Sequence, residues 1–271
     1  MNEFLYLIRD WTSETYLIVV GWSIWDSIGK ILNAEFTAAI VGALFGAWAA
    51  IRIGRNNKAR EELLSEIRNI NAAITLAHST AITAFQFKKL QLEIIDKYKG
   101  DKRKFQNNEQ IEVLMRTMPP FASQARRLQE IVLEKISPLE ITTARTVALI
   151  ESAEKLNHSI SEKNALVKQT QSSQNKNISL EVYLGIAQNN ITNKAYPEIL
   201  DSISAYIDDI IYFSHSICTD LCTLGGVIIG QRKLKDRKSL PNIATPNFNY
   251  AKKSGLLPDN RNYQDWDIYF K

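Results

Sequence analysis

The sequence predicts an all-α protein in which an N-terminal transmembrane helix continues into a cytoplasmic bundle of long helices. Three observations carry that expectation. The run from Phe36 to Ile51, FTAAIVGALFGAWAAI, contains no charge. No proline or glycine interrupts the chain between Arg55 and Lys99. Apolar residues recur at alternating steps of four and three through most of the chain, the spacing of a helix face, and no segment alternates as a strand does. With 45% hydrophobic and 23% charged residues the composition is that of a folded protein, which excludes global disorder. Four segments follow: 1–35, a peripheral N-terminal piece; 36–54, the span; 55–240, the helical body; and 241–271, a tail.

In the first segment, Tyr16 to Trp25 reads YLIVVGWSIW and stops at Asp26. That stretch is too short to cross a bilayer alone, which takes about 17–25 residues. Asp26 and Lys30 stand at i, i+4 and extend it as a helix. The expectation is an interfacial or re-entrant helix with Trp11, Trp22 and Trp25 at headgroup level. A tight transmembrane hairpin with the next segment is the alternative.

The span itself starts at Phe36 and is carried to Gly54 by Arg52, whose long side chain reaches toward headgroups. Trp48 lies one turn earlier, at the depth of an interfacial aromatic. Arg52, Arg55, Lys58 and Arg60 crowd the C-terminal flank, whereas Glu35 marks the other end. Positive residues stay in the cytoplasm, so the chain after Gly54 is expected there, with the protein in a bacterial inner membrane. A cleaved signal peptide is not expected, because the apolar run starts late and lacks a basic region close before it. Trp22, Trp25, Trp48, Arg52 and Arg55 are the expected interface anchors. Ala38, Gly42, Gly46, Ala50 and Gly54 recur every fourth position and stack along one stripe. Such stripes let helix backbones approach where lipid supplies no hydrophobic drive, so they are the candidate residues for membrane oligomerisation.

In the body, Leu63, Ile67, Ile70, Ile74, Ala77, Ala81 and Ala84 form a heptad seam. Lys88 and Gln91 weaken it and Ile95 resumes it. Gly100 and residues 101–108 read as a polar loop. Pro119 and Pro120 are expected to open a second helix with Phe121, Ala125, Leu128, Val132 and Ile136 inward. Ser137 caps a third starting at Pro138, with Leu149, Ala153, Leu156, Ile160 and Val167 inward. Residues 169–177, QTQSSQNKN, read as a loop. A short helix over Leu180 to Gln188 precedes a long one opened by Pro197, whose seam runs Ile199, Ile203, Tyr206, Ile210, Ser214, Ile217, Leu221, Leu224 and Ile228. Ile210 to Gly230 is long enough to span, but Asp220 and His215 sit inside it and a basic cluster follows it. Both features favour a buried core helix. Past Leu240 the pattern dissolves into an irregular tail with Tyr263, Trp266, Tyr269 and Phe270.

The chemistry is sparse. No P-loop, GxGxxG or HExxH occurs. The net charge of +4 is diffuse and lacks a nucleic-acid-binding motif. Cys218 and Cys222, the two cysteines, stand one turn apart and read as packed thiols rather than half a metal site. Asp208, Asp209 and His215 form the best acid–base constellation. Arg126, Arg127 and Arg145 belong to helix faces, with Arg145 the one set among apolar neighbours. The expectation is a non-enzymatic protein with no cofactor and no metal, whose partners are membrane lipid, further copies of itself and a cytoplasmic protein. Nucleic acid is not among them. The layout is similar in general plan to small single-span effectors of bacterial antiphage systems, though no family motif matches residue by residue. One reading is therefore an oligomeric effector that perturbs the membrane; the other is a scaffold or receptor that holds a cytoplasmic partner there.

Overall fold

The computed structural model describes residues 34–99, 114–136, 139–172, 194–231 and 240–268, without the side chains at 34–38, 95–99 and 267. Its elements are α1 (Ala34–Lys99), α2 (Ala125–Lys135), α3 (Glu140–Ser172), α4 (Ala195–Gly230), the short α5 (Asn249–Lys253), a 3-10 turn (Asn260–Tyr263) and α6 (Gln264–Ile268). No strand occurs among the described residues, so the chain is all-α there. Contacts divide it into two units, Met1–Glu62 and Leu63–Lys271. Trp22, Trp25, the loop at 100–108 and the helix expected at 180–188 lie outside the described residues.

The second unit is built on the expected seams. Leu63, Ile67, Ile70, Ile74, Ala77, Ala81 and Ala84 are all buried, as are Leu149, Ala153, Leu156, Ile160 and Val167 of α3. The α4 face is broader than one seam: Leu200, Ile207 and Ile211 are buried beside Ile203, Ile210, Ile217 and Leu221. Side chains tie α1 to α4, with the Cys218 thiol 3.6 Å from the Ile74 carbonyl. Past the alanines, Ile94 is buried, and the side chain of Ile95 lies outside those described. Gln91 is buried there too and donates to the Leu200 carbonyl at 3.0 Å.

Three boundaries differ from expectation. The second helix begins at Ala125, not at the prolines. Residues preceding proline avoid helical backbone, and Met118 and Phe121 have their peptide groups engaged by α3 side chains instead. The third helix extends through Ser172, so residues 169–172 are helical. The tail is more ordered than its sequence pattern suggests. α5 ends in a Schellman motif at Gly255 (φ 65°), with Leu256 N–H donating to the Ala251 carbonyl and Gly255 N–H to that of Lys252. Ile243 packs over Gly225, where a Cβ would come within 2.5 Å of its Cδ1.

By length and hydropathy alone, α4 is the one helix among the described residues that qualifies as a membrane span, with a mean hydropathy of 1.2. That helix is in mid-chain, not N-terminal. Asp220, within its apolar C-terminal half, is paired inside the second unit. Arg145 Nη1 donates to both carboxylate oxygens at 2.7 and 2.6 Å, and Thr142 adds a 3.2 Å bond. A hydrocarbon solvent offers a carboxylate no such partners, so Asp220 sits as a core residue does.

Candidate functional site

Three places hold chemistry or an uncovered surface. The first is the acid–base constellation. Asp208, Asp209 and His215 lie on α4 but keep separate partners. Asp208 pairs with Lys88 at 2.7 Å. Asp209 accepts from the Tyr263 hydroxyl at 2.9 Å. Burial raises the Asp209 carboxyl above the ordinary carboxylate range, against the opposing pull of the Tyr263 bond. Burial and the neighbouring Asp209 push the Tyr263 hydroxyl upward as well. The His215 ring stands edge-on to Phe248 at 4.7 Å, and burial lowers its pKa. General acid–base work needs a proton donor and acceptor within hydrogen-bond reach of one reacting group. Asp209 and His215 meet the tail, whereas Asp208 meets α1. Cys218 is buried and Cys222 half-buried, and both are free. Their thiols face the Ile74 and Ala244 carbonyls at 3.6 and 3.2 Å. Burial raises both pKa values, the opposite of an activated nucleophile. No group of metal-binding side chains occurs among the described residues.

The second place is a ladder of side chains along α3 that grips an extended strap. Asn157 Oδ1 accepts from Phe121 N–H at 2.7 Å, and its Nδ2 donates to the Phe121 carbonyl at 3.1 Å. Asn164 does the same for Met118, both at 2.8 Å. Gln171 reaches the Met115 carbonyl at 3.5 Å. Lys163, fully buried, donates to the Arg116 carbonyl at 2.6 Å, and Tyr196 to that of Leu114 at 2.8 Å. Burial alone depresses the Lys163 pKa to about 8. Asn157, Asn164 and Gln171 stand seven residues apart on one face. Sequence reading missed this ladder because polar residues on a helix signal solvent, and nothing in a sequence marks a peptide group as their target.

The tail closes the opposite side. Tyr263 stacks on Tyr212 at 3.8 Å, and Trp266 lies 5.0 Å from Phe213 and 6.0 Å from the Arg145 guanidinium. Phe248 meets His78 at 5.1 Å. Lys88 ties the tail to α1 by donating to the Leu256 carbonyl at 2.9 Å. Asn71 pairs with the Ala244 N–H and the Asn242 carbonyl.

The third place is the helix of the first unit. Val41, Leu44, Phe45, Trp48, Ile51 and Ile53 are exposed, at 46–66% of their full accessibility. At 100° per residue, Val41, Leu44, Phe45, Trp48 and Ile51 fall within about 120° of the circumference of α1, with Ile53 outside that arc. Gly42, Gly46 and Gly54 meet nothing within 4 Å, and Ala50 is exposed. Ala38 is placed on the helix, though its side chain is not among those described. The Arg52 guanidinium lies 5.2 Å from the centre of the Trp48 ring, a cation–π pair. Arg55 is exposed one turn on.

No family model matches this chain, nor does any curated protein or solved structure. The functional reading therefore rests on its own residues. Of the three places, the first two are packed inside the second unit and the third is not. An exposed apolar surface of this kind marks a place that another molecule covers.

Proposed function

We propose that residues 36–54 anchor the protein in a bacterial inner membrane, that the small-residue stripe packs one copy against another, and that the assembly is a non-catalytic effector that perturbs the membrane in defence of the antiphage type. The observation that carries this reading is the exposed run of apolar side chains from Val41 to Ile53, with Gly42, Gly46 and Ala50 on the other face. Burying such side chains is worth roughly 25 cal/mol per Å2 of apolar surface, and a bilayer covers the large-residue face while leaving the small-residue face for a second copy. The uncharged run, the following cations at Arg52, Arg55, Lys58 and Arg60, and Trp48 at the boundary support the same address and a cytoplasmic body. The separate engagements of Asp208, Asp209 and His215 support a non-enzymatic role.

The scaffold reading rests on the tail aromatics and the long seams; Phe248, Tyr263 and Trp266 are occupied by the protein's own body, and Tyr269 and Phe270 lie outside the described residues. It is therefore the lesser reading. Induced expression in a bacterial host, with a potential-sensitive dye and membrane fractionation, tests the proposal. The expected result is protein in the membrane fraction and a loss of potential. Membrane-located protein with normal potential and growth refutes the effector role and leaves the anchor. Full-length protein in the high-speed supernatant without detergent refutes the anchor.

A further inference from the structure

The helical surface between Trp48 and Arg60 has a feature that anchoring alone does not require. Trp48, Arg52 and Arg55 follow at i, i+4 and i+7, which places them on one stripe of α1. Arg60 lies within the same half of the helix circumference, two turns beyond Arg52. All four side chains are exposed. The Trp48 ring holds the Arg52 guanidinium over its face at 5.2 Å, which orders the first cation of the series. Between residues 52 and 62 stand four cations, Arg52, Arg55, Lys58 and Arg60, against the two carboxylates of Glu61 and Glu62. The nearest of these pairs, Lys58 to Glu62, is at 4.0 Å and highly exposed. Arg52, Arg55 and Arg60 form no ion pair with a carboxylate among the described residues. Three guanidiniums on one side of a helix, free of internal acids and edged by an indole, present planar donor forks suited to phosphate oxygens.

We infer that Trp48, Arg52, Arg55 and Arg60 form a binding site for the phosphodiester of an anionic phospholipid. The inference rests on the anchor proposed above and adds a ligand class to it. The shared chemistry is phosphate recognition, which a membrane lipid or free phosphate offers alike. The apolar run directly before Arg52 favours the lipid, because acyl chains cover Phe45, Trp48 and Ile51 while the headgroup meets the arginines. Phosphate alone satisfies only half of that surface.

The test uses the full chain purified in mild detergent and offered equimolar phosphatidylglycerol and phosphatidylcholine, with retained lipid counted by native mass spectrometry. The expected result is selective retention of phosphatidylglycerol. The preference should fall about fivefold for each cation removed in Arg52→Gln, Arg55→Gln and Arg60→Gln. Trp48→Leu, which keeps an apolar side chain, should weaken the preference with all three arginines present. All four positions are exposed, and an unchanged helical circular dichroism spectrum verifies that the variants fold. A parallel arm adds millimolar inorganic phosphate: competition that abolishes the preference entirely assigns the site to free phosphate and overturns the lipid. Equal retention of both lipids by wild type overturns the inference while leaving the anchor standing. Retention of neither lipid overturns the inference, and full-length protein in the high-speed supernatant without detergent removes the anchor and the inference together.

Discussion

At the scale of single residues, two positions show how much one atom group decides. Gly255 sits at φ 65°, where an L side chain crowds the following carbonyl, and its turn directs Leu256 into the core at 4% exposure. Gly255→Ala should cost about 1–2 kcal/mol, read as a lower urea midpoint for the full chain in detergent. Lys163 makes the reverse point. A fully buried ammonium with its pKa depressed to about 8 is a net charge cost, not a gain. Its unfolded value is near 10.5, so the unfolded chain binds more protons between pH 8 and 10.5. Stability therefore rises with pH across that window and carries a constant penalty below it, on the order of 3 kcal/mol. Lys163→Met should flatten the rise and raise stability at pH 7. The gain should fall short of the full penalty, because the Arg116 carbonyl loses its donor. Denaturant titrations of both proteins at pH 7 and pH 10 measure the difference.

At the scale of elements, the strap against α3 is held by its peptide groups, and so its stability is set by side chains that do not belong to it. Asn157→Ala and Asn164→Ala each leave a buried N–H and carbonyl unmatched, at about 1–3 kcal/mol apiece. Hydrogen exchange should report the loss locally, with the Phe121 amide losing protection in the first variant and the Met118 amide in the second. The same geometry makes the strap tolerant of composition and intolerant of length. Seven helical residues advance about 10.5 Å, and three extended residues advance about 10 Å. One residue inserted between Met118 and Phe121 would put the rungs out of step at once. These elements also show what a sequence reveals. The α1, α3 and α4 seams were legible because Leu, Ile and Ala at steps of three and four have few meanings other than a packed face. The strap was not, since the two prolines suggested a helix start and the amides that hold it stand on a different helix. Arg145 was legible as an exception on an otherwise solvated face, but its partner Asp220 lay 75 residues away with no spacing to betray it. The tail aromatics were visible as residues, while their targets, Tyr212, Phe213 and His78, were not.

At the scale of the whole molecule, the two units divide the labour. The body buries its apolar seams, and the helix before Leu63 leaves its apolar side chains uncovered. Gly42→Ile with Gly46→Ile should preserve membrane insertion, because isoleucine partitions into lipid better than glycine does. It should reduce crosslinking between copies in intact membranes, because the stripe no longer permits close approach. Unchanged crosslinking would remove the stripe as an interface. The bond between Asn71 and Ala244 bridges 173 residues, so the body cannot close until its C-terminal stretch has been synthesised. At bacterial translation speeds of about 5–20 residues per second, Asn71 waits roughly 9–35 s on the ribosome for its partner. The uncovered helix has emerged well before then. On the anchoring proposed above, the membrane receives that helix while the remainder of the chain is still nascent and unclosed.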